Sequence, residues 1–133
     1  MAGRHESGVL DTSAYVDLAL LDPAGLPMIP ELTAVTMAEL HQGVAMAKDA
    51  ASRAVRTEKL GAAIVEFEPL PFDARAAARY GTLVALTIAA NRDPKPRRMD
   101  LMIAAIALGN DVTLVSRNQA EFHRIVGLRV VTW

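Results

Sequence analysis

The stretch GVLDTSAYVDLAL, residues 8–20, sets the reading of the whole chain. A short apolar run ends at Asp11, and that acid with the two hydroxyl residues behind it is a helix-capping cluster, because such side chains accept hydrogen bonds from the first free backbone N–H groups of a helix. The stretch therefore predicts a buried strand ending at Asp11 that runs directly into a helix over Thr12 to Leu20. Working outward, DPAGLPMIPE (22–31) holds three prolines and a glycine and reads as loop, and LTAV (32–35) reads as a second short strand. Met37, Leu40, Val44 and Ala47 recur at helical spacing, which predicts a helix over Thr36 to Ala47, followed by another over Ala50 to Ile64.

IVEFEPLPF (64–72) alternates between prolines and suits a strand at a sheet edge, since proline cannot donate to a ladder. Asp73 is placed to cap the next helix, which ends in the loop NRDPKPRR, and Asp100 opens an apolar helix. DVTLVS (111–116) reads as a buried strand, SRNQ as a polar turn into a short helix ending at Ile125, and LRVVTW as the closing strand. Short strands alternating with helices indicate an open α/β sandwich with a largely parallel sheet. At 133 residues the chain fits one domain, with residues 1–7 expected to be flexible.

Composition narrows the function. The chain is 52% hydrophobic and 22% charged, which excludes disorder and suggests more apolar surface than a monomer hides. It has no cysteine, which removes disulfides, thiol chemistry and Cys-ligated zinc. Its start lacks an apolar run of signal-peptide length, so a cytoplasmic protein is expected. The net charge is −1, so a polyanion would have to be held by a local patch or through a metal ion.

In parallel α/β sheets the active crevice lies beyond the carboxyl ends of the strands. Asp11, Glu39, Asp100 and Glu121 all fall there. Singly, each has a structural explanation: Asp11 as a cap, Glu39 as the acid of a capping box opened by Thr36, Asp100 as a complement to its helix dipole, and Glu121 as a cap partner of Asn118. Together they would repel one another unless a cation offset them, and clustered carboxylate oxygens select a hard ion such as Mg²⁺ or Mn²⁺. Zinc is disfavoured because His5, His41 and His123 show no ligand spacing. Lys95, Arg97 and Arg98 precede the Asp100 helix, where the dipole disfavours positive charge. They either neutralise Asp93 and Asp100 or form a local phosphate-holding patch.

Five segments in order, VLDTSAYVDL, TAVTMAELHQGV, LPFDARAAARYG, RRMDLMIAAIAL and VTLVSRNQAEFHRIVGLRVVTW, resemble the PIN-domain ribonucleases, and among them the VapC toxins of bacterial toxin–antitoxin pairs. The resemblance spans Gly8 to Trp133. It implies a three-layer α/β/α PIN-like sandwich with four to five short, mostly parallel strands. It also implies a metal-dependent endoribonuclease, dimeric and silenced by a cognate VapB-like antitoxin.

Carried over by position, Asp11, Glu39 and Asp100 match the family's acids. Where some members have an aspartate in the turn, this chain has Asn118, with Glu121 three residues later supplying the charge. Asp11 and Asp100 are the expected principal ligands of Mg²⁺ or Mn²⁺, with Glu39 and Glu121 as further ligands or holders of its water shell. Thr12, Ser13, Ser116, Asn118, Arg97 and Arg98 are the expected contacts to water and RNA phosphate. A metal-activated water would hydrolyse the phosphodiester without the 2'-hydroxyl as nucleophile. Two rivals are a PIN fold that binds RNA or protein without cleaving it, and a receiver-type Mg²⁺-binding signalling domain. The receiver type needs a lysine after its last functional strand, and LVSRNQ has none.

Overall fold

The computed structural model describes residues 6–117, 122, 125 and 127–131. Strand β1 (Ser7–Leu10) leads through Asp11 into helix α1 (Thr12–Val16), after which the expected helix tightens into a 3₁₀ turn, Leu18–Leu20. Strand β2 (Ile29–Glu31) follows, then helices α2 (Ala34–Ala45), α3 (Ala50–Glu66), α4 (Ala74–Ala89) and α5 (Arg98–Gly109), and strands β3 (Thr113–Val115) and β4 (Val130–Val131).

The sheet has the order β2-β1-β3-β4, and every pairing is parallel. Leu10 pairs in register with Val115, and Val9 lies between Leu114 and Glu31. Because side chains alternate across a strand, Val9 and Leu114 face one layer while Leu10 and Val115 face the other. The first layer joins Val9 and Leu114 to Ala76, Leu83, Leu101 and Ile106 of α4 and α5. The second joins Leu10 and Val115 to Ala14, Leu32, Leu40 and Ala63. The result is the expected three-layer sandwich. Among the described residues no helix is long and apolar enough to cross a membrane.

Helix α5 is buried over nearly its whole length, with Leu101 and the run Ile103–Ala107 at most 2% exposed. Its small alanines pack in one core with α4 and the sheet. At the other face Tyr15 fixes α1 to α3: its hydroxyl donates to the Lys59 carbonyl at 2.9 Å and its ring meets Phe67 edge-on. Gly8 is needed for close approach, since a Cβ there would lie 3.0 Å from Pro27 Cγ and 3.3 Å from the Thr113 carbonyl oxygen.

Four expectations change. The second strand is Ile29–Glu31, inside the stretch read as loop, and LTAV instead spans the turn into α2. Proline is tolerated in β2 because that strand is the sheet edge. Residues 64–66 belong to α3, and the rest of the supposed third strand forms one bridge, Thr33 to Leu70. Ser7, expected to be flexible, opens β1, and the Glu6 carbonyl accepts from the Ile29 N–H at 2.7 Å. Helix α5 starts at Arg98, so Asp100 lies in its first turn rather than at its mouth.

Candidate active site

The chain goes from β1 to β2 on one side, then crosses to β3 on the other side of β1. The connections therefore diverge between β1 and β3, which is where a crevice opens at the carboxyl ends of the strands. Asp11 and Ser116 stand at that point: the Asp11 N–H donates to the Val115 carbonyl at 3.0 Å, and Ser116 is fully buried at the end of β3.

Asp11 is 5% exposed. Its Oδ1 accepts the Ala14 N–H at 2.8 Å and the Ser13 hydroxyl at 3.1 Å, which caps α1. Its Oδ2 has no hydrogen bond or ion pair with any described residue. The capping explanation accounts for one oxygen only. A buried carboxylate oxygen without a partner is costly, and a cation is the natural complement.

Glu39 loses its structural explanation. Helix α2 begins at Ala34 and its cap is Thr33, whose Oγ1 accepts the Thr36 N–H at 3.0 Å. The capping box expected from Thr36 to Glu39 does not form, because Glu39 lies a turn too far into the helix. Its Oε1 accepts the Thr12 hydroxyl at 2.5 Å, which ties α2 to the residue after Asp11. Oε2 has no hydrogen bond with a described residue. Thr12, read from the sequence as a substrate contact, gives its only hydroxyl proton to Glu39.

Asp100 is half-buried. Nine residues of helix separate it from Gly109, a rise of about 14 Å. Asp100 lies in the first turn of α5, at the opposite end of that helix from the connection to β3. Arg97 donates to the Asp93 carbonyl at 2.8 Å, while Arg98 is exposed. Ser13 is exposed and committed to Asp11. Asn118 and Glu121 lie outside the described residues, as do His5 and His123.

Among the described residues no three acidic or histidine side chains are grouped so as to hold an ion. Mg²⁺ does not require such a group, because it keeps several waters and is held through one or two carboxylates. The oxygen donors present, with Asp11 Oδ2 unpartnered among the described residues, fit that mode. The sequence did not single out Thr33 and Thr36 as site companions, nor the ion pair at 3.1 Å between Arg117, just after β3, and Asp17, at the end of α1. Thr33, three residues before Thr36 and six before Glu39, was the available signal.

The chain is 33% identical over 115 residues to Ribonuclease VapC5 of Mycobacterium tuberculosis, covering 84% of this chain and 83% of that protein. It belongs to the VapC family of PIN-domain proteins. No family model matches the chain. The VapBC-5 toxin–antitoxin structure from Mycobacterium tuberculosis superposes with a TM-score of 0.85 at 31% identity, covering 96% of this chain and 99% of that one. The fold also matches VapBC2 of Rickettsia felis, solved on a promoter DNA fragment, with a TM-score of 0.77, 24% identity and coverage of 96% and 98%. Membership of the VapC family removes the receiver-type rival.

Proposed function

We propose that this VapC-family chain is the toxin of a VapBC-type pair, an endoribonuclease that hydrolyses RNA phosphodiester bonds with Mg²⁺ or Mn²⁺ and is inhibited by a VapB-like antitoxin. The observation that carries the reading is Asp11: a buried carboxylate at the switch point of a parallel sheet, with one oxygen capping α1 and the other without a partner among the described residues. Ribonuclease activity is the named property of its relative at 33% identity, and assembly with an antitoxin is that of its relative at 31%.

Asp11 and Asp100 would hold the ion, with Glu39 and Glu121 placed to order its waters. The bound ion would supply Lewis acidity to a water and to the scissile phosphate. Asp11 would bind through Oδ2, since Oδ1 is taken by Ala14 and Ser13. Glu39 would orient water through Oε2, since Oε1 is taken by Thr12. Arg98, exposed at the start of α5, with Arg97 behind it, would hold a substrate phosphate at the rim. Water rather than the ribose 2'-hydroxyl acts as nucleophile, so products would carry a 5'-phosphate and a 3'-hydroxyl.

Protein partners are supported by apolar side chains left exposed: Leu86 and Ile88 on α4, and Val55, Ile64 and Val65 on α3. These suit a homodimer that assembles further with the antitoxin.

The test is the chemistry of the cut ends. RNA digested by the purified protein with Mn²⁺ should yield fragments that ligate directly through a 5'-phosphate, and Asp100→Asn should yield none. Fragments with 5'-hydroxyl and cyclic phosphate ends would contradict the proposal, and RNA binding without cleavage would favour the inactive PIN-fold reading.

A further inference from the structure

Behind Glu39 stands a row of threonine hydroxyls whose protons can be assigned. Thr12 donates to Glu39 Oε1 at 2.5 Å. A hydroxyl carries one proton, so in the 3.1 Å contact between Thr12 Oγ1 and Thr36 Oγ1 the donor is Thr36. Thr36 Oγ1 accepts in turn from the Thr33 hydroxyl at 3.5 Å, and Thr33 Oγ1 accepts the Thr36 N–H at 3.0 Å. Every hydroxyl proton in the row points toward the carboxylate. Hydrogen bonds arranged head to tail in this way polarise and strengthen one another.

Thr33 and Thr36 are both fully buried, so water is not available to replace either group. Capping does not explain the Thr36 hydroxyl, because the cap uses the Thr33 oxygen and the Thr36 backbone N–H. Packing does not explain it either, since valine has the same shape and suits a buried site better. What the hydroxyl does is hold Thr12 in the orientation in which it donates to Glu39.

We propose that Thr36 is a positioning residue, which fixes Glu39 through Thr12 so that Oε2 is presented to the crevice. The proposal rests on the reading of Glu39 as part of the candidate active site. Hydrogen-bond partners one step behind metal-site ligands are worth about 10- to 100-fold in activity or metal affinity, and Thr36, which reaches Glu39 through Thr12, belongs at the lower end of that range. Thr36→Val should therefore fold normally and lower kcat about 10-fold with KM within about twofold. Its Mn²⁺ affinity, read by electron paramagnetic resonance without RNA, should fall by about 10-fold. Thr36→Ser, which keeps the hydroxyl, should restore both.

Because Thr36 acts through Glu39, Thr36→Val added to Glu39→Gln should cost nothing further. Glu39→Gln also separates the proposal from the reading beneath it. An impaired Glu39→Gln beside a Thr36→Val with wild-type turnover and Mn²⁺ affinity would overturn the role of Thr36 alone. A fully active Glu39→Gln would overturn both. Should Thr36→Val fail to fold, Thr36→Ala with serine as its rescue takes its place, and a serine variant as impaired as alanine would also overturn the proposal.

Discussion

Substitutions at Asp11 separate the work of its two oxygens. In Asp11→Asn the side-chain carbonyl can still accept the Ala14 N–H and the Ser13 hydroxyl, and Asn and Asp are nearly equal as caps. The buried charge disappears, so without divalent ions Asp11→Asn should melt at or above the wild-type temperature. In Asp11→Ala the cap is lost where Ala14 is fully buried, leaving an N–H that water cannot satisfy. That costs about 1–3 kcal/mol. For a chain of this length it amounts to a fall in Tm of roughly 3–10 °C.

Divalent ions should then split the wild type from both variants. At ten times its dissociation constant Mn²⁺ would stabilise the wild type by about 1.4 kcal/mol, or roughly 5 °C. The variants should gain little. Thermal melts in EDTA and in Mn²⁺, followed by circular dichroism, measure all of these. If Asp11→Asn fell as far as Asp11→Ala in EDTA, or gained as much from Mn²⁺ as the wild type, the assignment of Oδ2 to a cation would be refuted.

Three other perturbations follow from the packing and the caps. Leu114 is fully buried in β3, next to the centre of the sheet, so Leu114→Ala should cost about 2–5 kcal/mol, read as a lower urea midpoint. Gly8→Ala should destabilise measurably although alanine is the smallest replacement, because its Cβ meets the Pro27 ring and the Thr113 carbonyl; an unchanged midpoint would count against the close approach. The Ser52 backbone N–H, followed by the Ser52 hydroxyl, holds the Asp49 carboxyl below the usual aspartate range. Such an acid stabilises the fold above its unfolded pKa, and the contribution fades as pH falls through the lower folded value. The difference in urea midpoint between wild type and Asp49→Asn should therefore be steady near neutral pH and change only below the ordinary aspartate value.

Much of this was legible in the sequence. The passage from apolar run to cap at Asp11 gave β1 and α1, Asp73 gave the start of α4, and the apolar run after Asp100 gave α5. The second strand was misplaced because Leu32 and Val35 are buried in the turn and first residues after β2, whereas Ile29 and Pro30 in the strand itself are exposed at the edge. Apolarity followed burial rather than backbone conformation. The same misplacement made Thr36 look like the cap, and moving the cap to Thr33 removed the capping role read for Glu39. Ile64 and Val65 open the alternating, proline-bracketed run that read as strand, yet they lie in the last turn of α3 with 54% and 86% of their surface exposed. Their apolarity serves no core of this chain, and no pattern within one sequence marks that difference.

The place of Asp11 directly after β1 was legible because a parallel sheet puts its crevice at a fixed place. The hydroxyl row behind Glu39 was not, since it joins α1 to α2 across residues 24 and 27 positions apart.

The most direct test of the central claim is the initial rate of RNA cleavage by purified protein in Mn²⁺, with Asp11→Asn measured beside it on the same substrate. The account predicts cleavage that stops in EDTA, returns with Mn²⁺, and falls at least about 100-fold in Asp11→Asn while that variant stays folded. Cleavage undiminished in Asp11→Asn, or unaffected by EDTA, would contradict it.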